Sequence, residues 1–304
     1  MDESKIPILV GCGQITQREE DPNIALSPMD LTSQACFEAA KDTEVGNKIL
    51  EEIDTVLVIR SFSDTSWRFT CPFGKYHNPP MSLANRINAK NAHQYIYTHA
   101  GGNMPQWSVN KLCDLISKGE VKTALIAGGE SLYTQKQAQR LGIQLDWNED
   151  SRGVFEEWGI NKKGWSASEE NHGMKGAIYA YPLIENAIRG YEKRSISEHA
   201  NEMGRILSKF ANVAKNNPLA DRQKGYTAEE ISDVNDLNPY IGFPYTKLMN
   251  ANAFIDQAAS IIITNVEHAK KIGIPREKWV YLHGCADAYD HWHLSDRINF
   301  HSSP

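Results

Sequence analysis

Apolar residues recur along the chain with two periods, and each period predicts one kind of element. Short apolar runs of strand length lie near residues 6–10, 53–59, 94–98, 123–127, 260–264 and 279–282. Between these runs, apolar residues fall at helical spacing near 28–41, 104–117 and 266–271. Strands that alternate with helices predict a parallel or mixed sheet covered by helices, which is an α/β fold.

One junction in this pattern is a candidate site. The strand near 94–98 leads into the helix near 104–117 through His99-Ala-Gly-Gly-Asn-Met-Pro-Gln106. A small-residue junction of this kind brings backbone N–H groups and the positive end of a helix dipole to one point, which favours an anion. The alternative is that the glycines only allow the helix to pack tightly on the sheet.

The helix after this junction has clear predicted ends. Asn103 is expected to cap it, Pro105 lies in its first turn, and Gly119 ends it. Its apolar face consists of Val109, Leu112, Cys113 and Ile116. We therefore predict that this helix lies buried between layers.

Two further glycine pairs are predicted as turns. Gly11-Cys-Gly13 follows the first strand, and Gly128-Gly129-Glu130-Ser131 follows the strand near 123–127. A dinucleotide-binding fingerprint is weak at the first pair, because Thr16 stands where a third glycine is required.

The pattern changes between Tyr133 and about residue 244, where strand alternation is lost. Ser195 and Thr227 each begin a capping box that opens a helix. The predicted buried face of the first of these helices consists of Met203, Ile206, Leu207, Phe210 and Val213. We predict a discontinuous α/β domain over 1–132 and 245–304, interrupted by an all-helical loop or lid domain over 133–244.

Composition excludes some function classes. The 304-residue chain has a formal net charge of -6 and no Lys/Arg cluster, so nucleic acid is not an expected partner. The N-terminal residues show no secretory signal pattern and no apolar run approaches membrane-spanning length, so we expect a cytoplasmic protein without membrane insertion. The five cysteines are scattered and lack a C-x-x-C pair, which favours reduced thiols, most of them core residues.

Several separated stretches, in the expected order, resemble the thiolase superfamily, and most closely the sterol-carrier-protein-type thiolases and thiolase-like proteins. The matching stretches are Val10-Gly-Cys-Gly-Gln14, Ile53-Asp-Thr-Val56, Gly101-Gly-Asn-Met-Pro-Gln106, Gly119, Ala127-Gly-Gly-Glu130, Asn216-Asn-Pro218, Pro244-Tyr-Thr-Lys-Leu-Met249, Asp256-Gln-Ala-Ala259 and His283-Gly-Cys-Ala-Asp-Ala-Tyr-Asp-His-Trp292. The resemblance implies a layered α/β/α thiolase-like fold, of which this chain holds the N-terminal half and the loop domain.

Two departures from the family pattern bear on activity. A thiolase carries its nucleophilic cysteine at the glycine junction, and an ungapped count from Gly119 places Gly102 there. The family's C-terminal half, with its Asn-x-His and Gly-His-Pro motifs and a second cysteine, is expected after Pro304. The resemblance therefore implies an acyltransferase-type protein that lacks thiolytic activity by itself.

Thioester-oxygen donors are the part of this chemistry that the chain retains. The backbone N–H groups of Asn103 and Met104 are expected to receive a carbonyl or phosphate oxygen. We predict that acyl-CoA binds at Gly101, Gly102, Asn103 and Met104, with segment 133–244 as a lid. Acyl-CoA or CoA is then a substrate or ligand, and no cofactor is expected.

A cluster near the end of the chain offers two alternatives. His283, Asp287, Asp290, His291 and His293 lie within eleven residues, but their spacing matches no metal motif, so no metal is expected. The simpler interpretation is a hydrogen-bonded turn above Trp292. Cys285 is a second alternative, as a replacement nucleophile with His283 as its base.

Two function classes follow. The chain is either an acyltransferase-related polypeptide that acts on acyl-CoA, or a non-catalytic acyl-CoA-binding or assembly subunit of a larger complex. A homodimer, or a partner chain that supplies the C-terminal half, is the expected assembly, because an isolated half would leave apolar surface exposed.

Overall fold

The computed structural model describes residues 2–303 and divides the chain into two compact units. The first unit contains the chain up to Ile160 together with Ala253–Ala286, and the second contains Asn161–Asn252 and the chain from Asp287 onward. These bounds differ from the predicted insertion over 133–244. The difference arises because the segment after residue 132 supplies one more helix and one more strand to the first unit before the chain leaves it.

The elements alternate as the apolar pattern predicts. The strands are β1 Pro7–Gln17, β2 Thr55–Val58, β3 Gln94–Thr98, β4 Thr123–Ser131, β5 Glu156–Trp158, β6 Tyr240–Gly242, β7 Tyr245–Thr246, β8 Asp256–Asn265 and β9 Val280–Tyr281. The helices are α1 Pro28–Asp42, α2 Lys48–Glu51, α3 Pro79–Arg86, α4 Met104–Lys118, α5 Leu132–Leu141, α6 Ala167–Asn171, α7 Ala177–Tyr191, α8 Ile196–Lys215, α9 Ala228–Ser232 and α10 Val266–Ile272. Within residues 2–303, none of these helices is long and apolar enough to cross a membrane.

Seven strands of the first unit form one mixed sheet in the order β5-β3-β2-β4-β8-β1-β9. Strands β5, β3, β2 and β4 run parallel, and the β4–β8, β8–β1 and β1–β9 pairs are antiparallel. Val58 of β2 is in register with Tyr97 of β3 and with Ala127 of β4. The predicted α/β fold is confirmed, and the carboxyl ends of the four parallel strands meet at one edge of the sheet.

The first predicted turn, Gly11-Cys-Gly13, is wrong, because β1 continues through it to Gln17. A Cβ atom on Gly11 would lie 2.3 Å from the carbonyl oxygen of Ala39, and one on Gly13 would lie 2.1 Å from that of Ala35. The glycines therefore let the α1 backbone lie directly against the strand.

The second predicted turn is also wrong, since β4 includes Gly128–Ser131 and pairs with β8 along this length. A Cβ atom on Gly129 would meet the Thr32 hydroxyl at 2.4 Å. At the end of the pair, the buried Asp256 carboxylate accepts from the backbone N–H groups of Tyr133 and Thr134 at the start of α5. Both glycine pairs thus serve close packing and not chain reversal.

Helix α4 is buried on one face. Its predicted apolar residues, Val109, Leu112, Cys113 and Ile116, are all at most 5% exposed. On its other face, Lys111, Asp114 and Lys118 are exposed. The prediction of a helix buried between layers is therefore confirmed only for the face toward the sheet, because the outer face carries charged side chains.

The second unit contains α6 to α9 and a β6–β7 hairpin. The hairpin corrects the prediction of an all-helical insertion, since a few extended residues around Pro244 are enough to pair. The capping boxes that begin at Ser195 and Thr227 are both confirmed.

The predicted buried face of α8 is largely wrong. Met203 is buried, but Ile206, Phe210 and Val213 are 43%, 67% and 71% exposed. Apolar residues at helical spacing indicate which face of a helix packs against other elements. They do not show how far along the helix those elements extend.

Candidate functional site

The predicted junction is a surface turn between β3 and α4. His99 leaves β3 by donating its backbone N–H to the carbonyl oxygen of Trp158, at 2.7 Å. Ala100 to Asn103 are exposed. Within residues 2–303, no hydrogen bond uses the backbone N–H of Gly102 or Asn103. Both donors belong to exposed residues and lie at the positive end of a 15-residue helix.

Two details of the sequence prediction need correction here. Asn103 occupies the cap position of α4, but its side chain makes no capping hydrogen bond, because its backbone is already helical. The N–H of Met104 is not a free donor, since it donates to the carbonyl oxygen of Gly101 at 3.0 Å. The available donors are therefore one residue earlier than predicted.

Gly102 lies at the centre of this turn and is exposed. No heavy atom lies within 4 Å of the position that a Cβ atom would take, and its φ is outside the left-handed region. A side chain is therefore sterically allowed here, so the glycine is not required by packing or by backbone strain.

Strand β5 supports the turn from the opposite side. Gly159, with φ at +106°, lies beside Met104 and His99, and a Cβ atom on it would be 3.2 Å from the methyl carbon of Met104. The rings of Trp158 and Trp107 pack edge to face at 6.1 Å. This strand is not predicted from the sequence, because Glu156-Glu-Trp158 has neither alternation nor an apolar run.

Arg60 follows β2 beside the turn and holds the end of β3. Its Nε donates to the carbonyl oxygen of Thr98 at 2.7 Å, its guanidinium pairs with Glu157, and it lies 4.4 Å from the centre of the Tyr97 ring. The guanidinium is therefore already committed to protein partners.

Glu130 of β4 contacts the loop that follows β2. Its carboxylate accepts from the backbone N–H of Phe62 at 2.6 Å, and the Tyr97 hydroxyl accepts from Ser61 N–H and donates to Asp64 at 2.6 Å. Burial, and secondly the charge of Asp64, raise the pKa of Glu130 to about 7. The edge of the sheet thus carries a carboxyl group that titrates near neutral pH.

This pKa predicts a pH-dependent stability. The raised folded-state pKa means that ionisation of Glu130 disfavours the folded state, so its contribution to the free energy of unfolding falls as the pH rises from about 4.5 to about 7. Glu130→Gln should remove this loss and raise the free energy of unfolding at pH 8, relative to the natural chain, by about 2 kcal/mol after allowance for solvent screening. Urea denaturation at pH 5 and pH 8 measures the difference, with the exposed Glu120→Gln as control. An equal effect at both pH values would contradict the assignment.

Four cysteines are unsuited to thiolate chemistry. Burial raises the pKa values of Cys36 and Cys113 to about 12, and burial also raises those of Cys12 and Cys71. The expectation that Cys113 is a packing residue is consistent with its 2% exposure.

The alternative nucleophile Cys285 gains no support. Cys285 and His283 are both exposed in an irregular segment, and among the described residues no hydrogen bond joins them. A hydrogen-bonded turn above Trp292 was predicted. The structure shows a different contact of this residue, in which its indole N–H donates to the carbonyl oxygen of Lys163 at 2.6 Å. In residues 2–303, no three His, Cys, Asp or Glu side chains are grouped as metal ligands.

Comparisons with known proteins give structural matches. A scan against protein-family models and a search of curated proteins find no match. All of this chain matches 55% of the crystal structure of a monomeric SCP2-thiolase like protein type 1 from Mycobacterium smegmatis, at 29% identity and a TM-score of 0.78. The chain thus spans about half the length of that protein.

Two more distant structures share the fold. The structure of the Ltp2-ChsH2(DUF35) aldolase matches 97% of this chain and 65% of its own, at 14% identity and a TM-score of 0.65. The dimeric peroxisomal thiolase of Saccharomyces cerevisiae matches 90% of this chain and 67% of its own, at 14% identity and a TM-score of 0.57. The shared fold, the ordered motifs and the 29% identity over the whole chain together show that this chain belongs to the thiolase-like superfamily.

Proposed function

We propose that this chain binds acyl-CoA thioesters at the β3–α4 turn and transfers no acyl group through a thiolate there. The observation that carries the proposal is the pair of unused N–H groups on Gly102 and Asn103, at the start of α4, in a turn without a cysteine. Two such donors are the arrangement that stabilises a thioester carbonyl oxygen.

The absence of a thiol at the turn supports the second part of the proposal. Claisen-type acyl transfer requires a thiolate that attacks the carbonyl carbon and carries the acyl group. Gly102 provides no such atom, and the resemblance places it at the nucleophile position. The protein is then thiolase-like in fold and binding, and thiolytic activity is not expected of this chain by itself.

A second candidate follows from the same turn. Cleavage of a β-hydroxyacyl thioester needs a base for the hydroxyl proton and donors for the thioester enolate, but no covalent thiol. One structural neighbour is named an aldolase and is a complex with a DUF35 protein. A thiol-independent lyase, or a binding subunit within a larger assembly, is therefore our alternative proposal.

Gly102→Val tests the binding site. The free space around the Cβ position predicts an unchanged fold, whereas the added methyl groups should obstruct the approach of a carbonyl oxygen to the N–H pair. We expect the Kd for acetoacetyl-CoA, measured by calorimetry, to rise about tenfold or more. Gly164→Val is the matched control, since its Cβ position is also open and it lies in the second unit.

Two outcomes would overturn the proposal. One is equal affinity of the natural chain and Gly102→Val for acetoacetyl-CoA, with both folded by circular dichroism. The other is multiple turnover in a thiolysis assay of the natural chain with acetoacetyl-CoA and CoA, in which case Cys285→Ser would identify or exclude the remaining exposed thiol of this region.

A further inference from the structure

Glu130 lies on the same face of the sheet as helix α4. Side chains alternate along a strand, so Ile126, Gly128 and Glu130 of β4 share one face. Ile126 packs in a cluster with Val109 and other buried residues of α4. The Glu130 carboxyl group therefore lies on the face of the sheet that α4 covers.

Glu130 and the β3–α4 turn both extend beyond the same edge of the sheet. Tyr97 of β3 and Ala127 of β4 are each in register with Val58 of β2. Glu130 follows Ala127 by three residues, and β3 ends one residue after Tyr97 and leads into the turn. Because β2 separates β3 from β4, two interstrand spacings place Glu130 and the turn about 10 Å apart across the sheet.

A bound thioester is long enough to bridge this separation. The Glu130 side chain reaches about 4 Å from its Cα atom. A hydrogen bond at the turn and a proton-transfer contact at the carboxylate each add about 3 Å. A thioester whose oxygen lies on the N–H groups of Gly102 and Asn103 can therefore place its α-carbon beside Glu130. Ile59, which follows β2 and packs with the α4 cluster, gives the surface between them an apolar character.

The Glu130 carboxylate is only partly engaged by the protein. One oxygen accepts from the backbone N–H of Phe62 at 2.6 Å, and within residues 2–303 no hydrogen bond engages the other oxygen. Burial, and secondly the charge of Asp64, raise the pKa of Glu130 to about 7. A carboxyl group with this pKa can accept a proton and return it near neutral pH.

Other charged groups around Glu130 are already paired or are lacking. The Arg60 guanidinium, in the loop that also carries Asp64, pairs with Glu157. The β8 residue in register with Glu130 is the neutral Gln257, and the first turn of α4 contains no charged residue. The carboxylate therefore has no cation that would hold it permanently ionised among residues 2–303.

We propose that Glu130 is the catalytic base of this site and removes a proton from the α-carbon of the bound thioester. The electron pair of the C–H bond enters the enolate, whose oxygen is held by the N–H groups of Gly102 and Asn103. The proton remains on the Glu130 carboxyl group and returns to the α-carbon when the enolate collapses, so no further reactant is needed. This role rests on the proposed binding of thioesters at the turn, and the return of the proton is the step that ends the thiol-independent lyase reaction.

Hydrogen exchange tests this role. In deuterated buffer, the natural chain should replace the α-protons of acetyl-CoA by deuterium, as measured by mass spectrometry. The rate should rise with pH and level off above about pH 7, because the ionised carboxylate is the base. Glu130→Gln retains an acceptor for the Phe62 N–H, should lower the rate at least about 100-fold, and should leave the Kd for acetyl-CoA unchanged in calorimetry. Glu120→Gln makes the same chemical change at an exposed position and should alter neither quantity.

The binding measurement separates this proposal from the one on which it rests. A natural chain that binds acetyl-CoA without accelerating exchange overturns the role of Glu130 and leaves thioester binding intact. A natural chain that does not bind acetyl-CoA overturns both. Equal exchange by the natural chain and Glu130→Gln would assign Glu130 a purely structural role, since this variant is expected to be the more stable chain at pH 8.

Discussion

Replacing Gly102 by cysteine is expected to give the chain a reactive thiolate at the β3–α4 turn. The side chain fits, since nothing lies within 4 Å of its Cβ position and the backbone is unstrained. The positive end of α4 and the unused N–H groups should lower the thiol pKa below the usual value of about 8.5. The rate of alkylation can be followed by mass spectrometry as a function of pH. At neutral pH, it should exceed that of an ordinary exposed thiol about tenfold.

Gly164→Cys provides the matched exposed thiol away from a long helix start. With acetoacetyl-CoA, the thiolate at position 102 should attack the keto carbon, break the bond to the α-carbon and release acetyl-CoA as its enolate, which must be protonated. We expect one acetyl group per chain and no sustained thiolysis, because no second thiol lies at the turn among residues 2–303. An alkylation profile equal to that of Gly164→Cys would show that the turn does not stabilise an anion.

Gly13→Ala is expected to have the largest effect on stability. The added carbon would lie 2.1 Å from the carbonyl oxygen of Ala35 and 2.5 Å from the backbone nitrogen of Ala39. Both contacts are to the backbone of α1, so no side chain can rotate away and the helix must move from the sheet. We expect a loss of about 3 kcal/mol in the free energy of unfolding, measured by urea denaturation.

Gly102→Ala is the control, since it makes the same chemical change without a contact and should alter stability by less than about 0.5 kcal/mol. Should Gly13→Ala fail to fold, Gly129→Ala gives a milder case, because its nearest contacts are the side chains of Thr32 and Ala258. Equal stability of Gly13→Ala and Gly102→Ala would mean that α1 does not lie against β1.

The sequence predicted the strands and helices well where burial is strong. The β2, β3 and β4 runs and the face of α4 have the periodicity that a buried sheet and its covering helix require. The turns predicted at the glycines near residues 11 and 128 were wrong. A local pattern cannot distinguish a glycine in a chain reversal from one that lets a helix distant in sequence pack closely against the strand. The contact of Gly13 with Ala35 exists only in the folded chain.

The turn between β3 and α4 was predicted at the correct residues, but the backbone donors that it leaves unused were not. The junction lies where the motif indicated, yet the available donors are on Gly102 and Asn103, because a backbone bond of the turn uses the N–H of Met104. The contribution of β5 could not be predicted, since its three residues gain their meaning only by pairing with β3.

The pairing of β1 sets an order of events during synthesis. Within residues 2–303, its strand partners are β8 and β9, and Pro7 is in register with Asn265. About 240 residues separate the end of β1 from the start of β8, so at a translation rate of roughly 5–20 residues per second the first strand is synthesised roughly 12–50 s before its partner. The parallel strands β2, β3 and β4 can associate earlier, so the nascent chain carries an apolar strand without a neighbour for most of its synthesis. Such a segment is a natural substrate for a chaperone that binds extended apolar peptides.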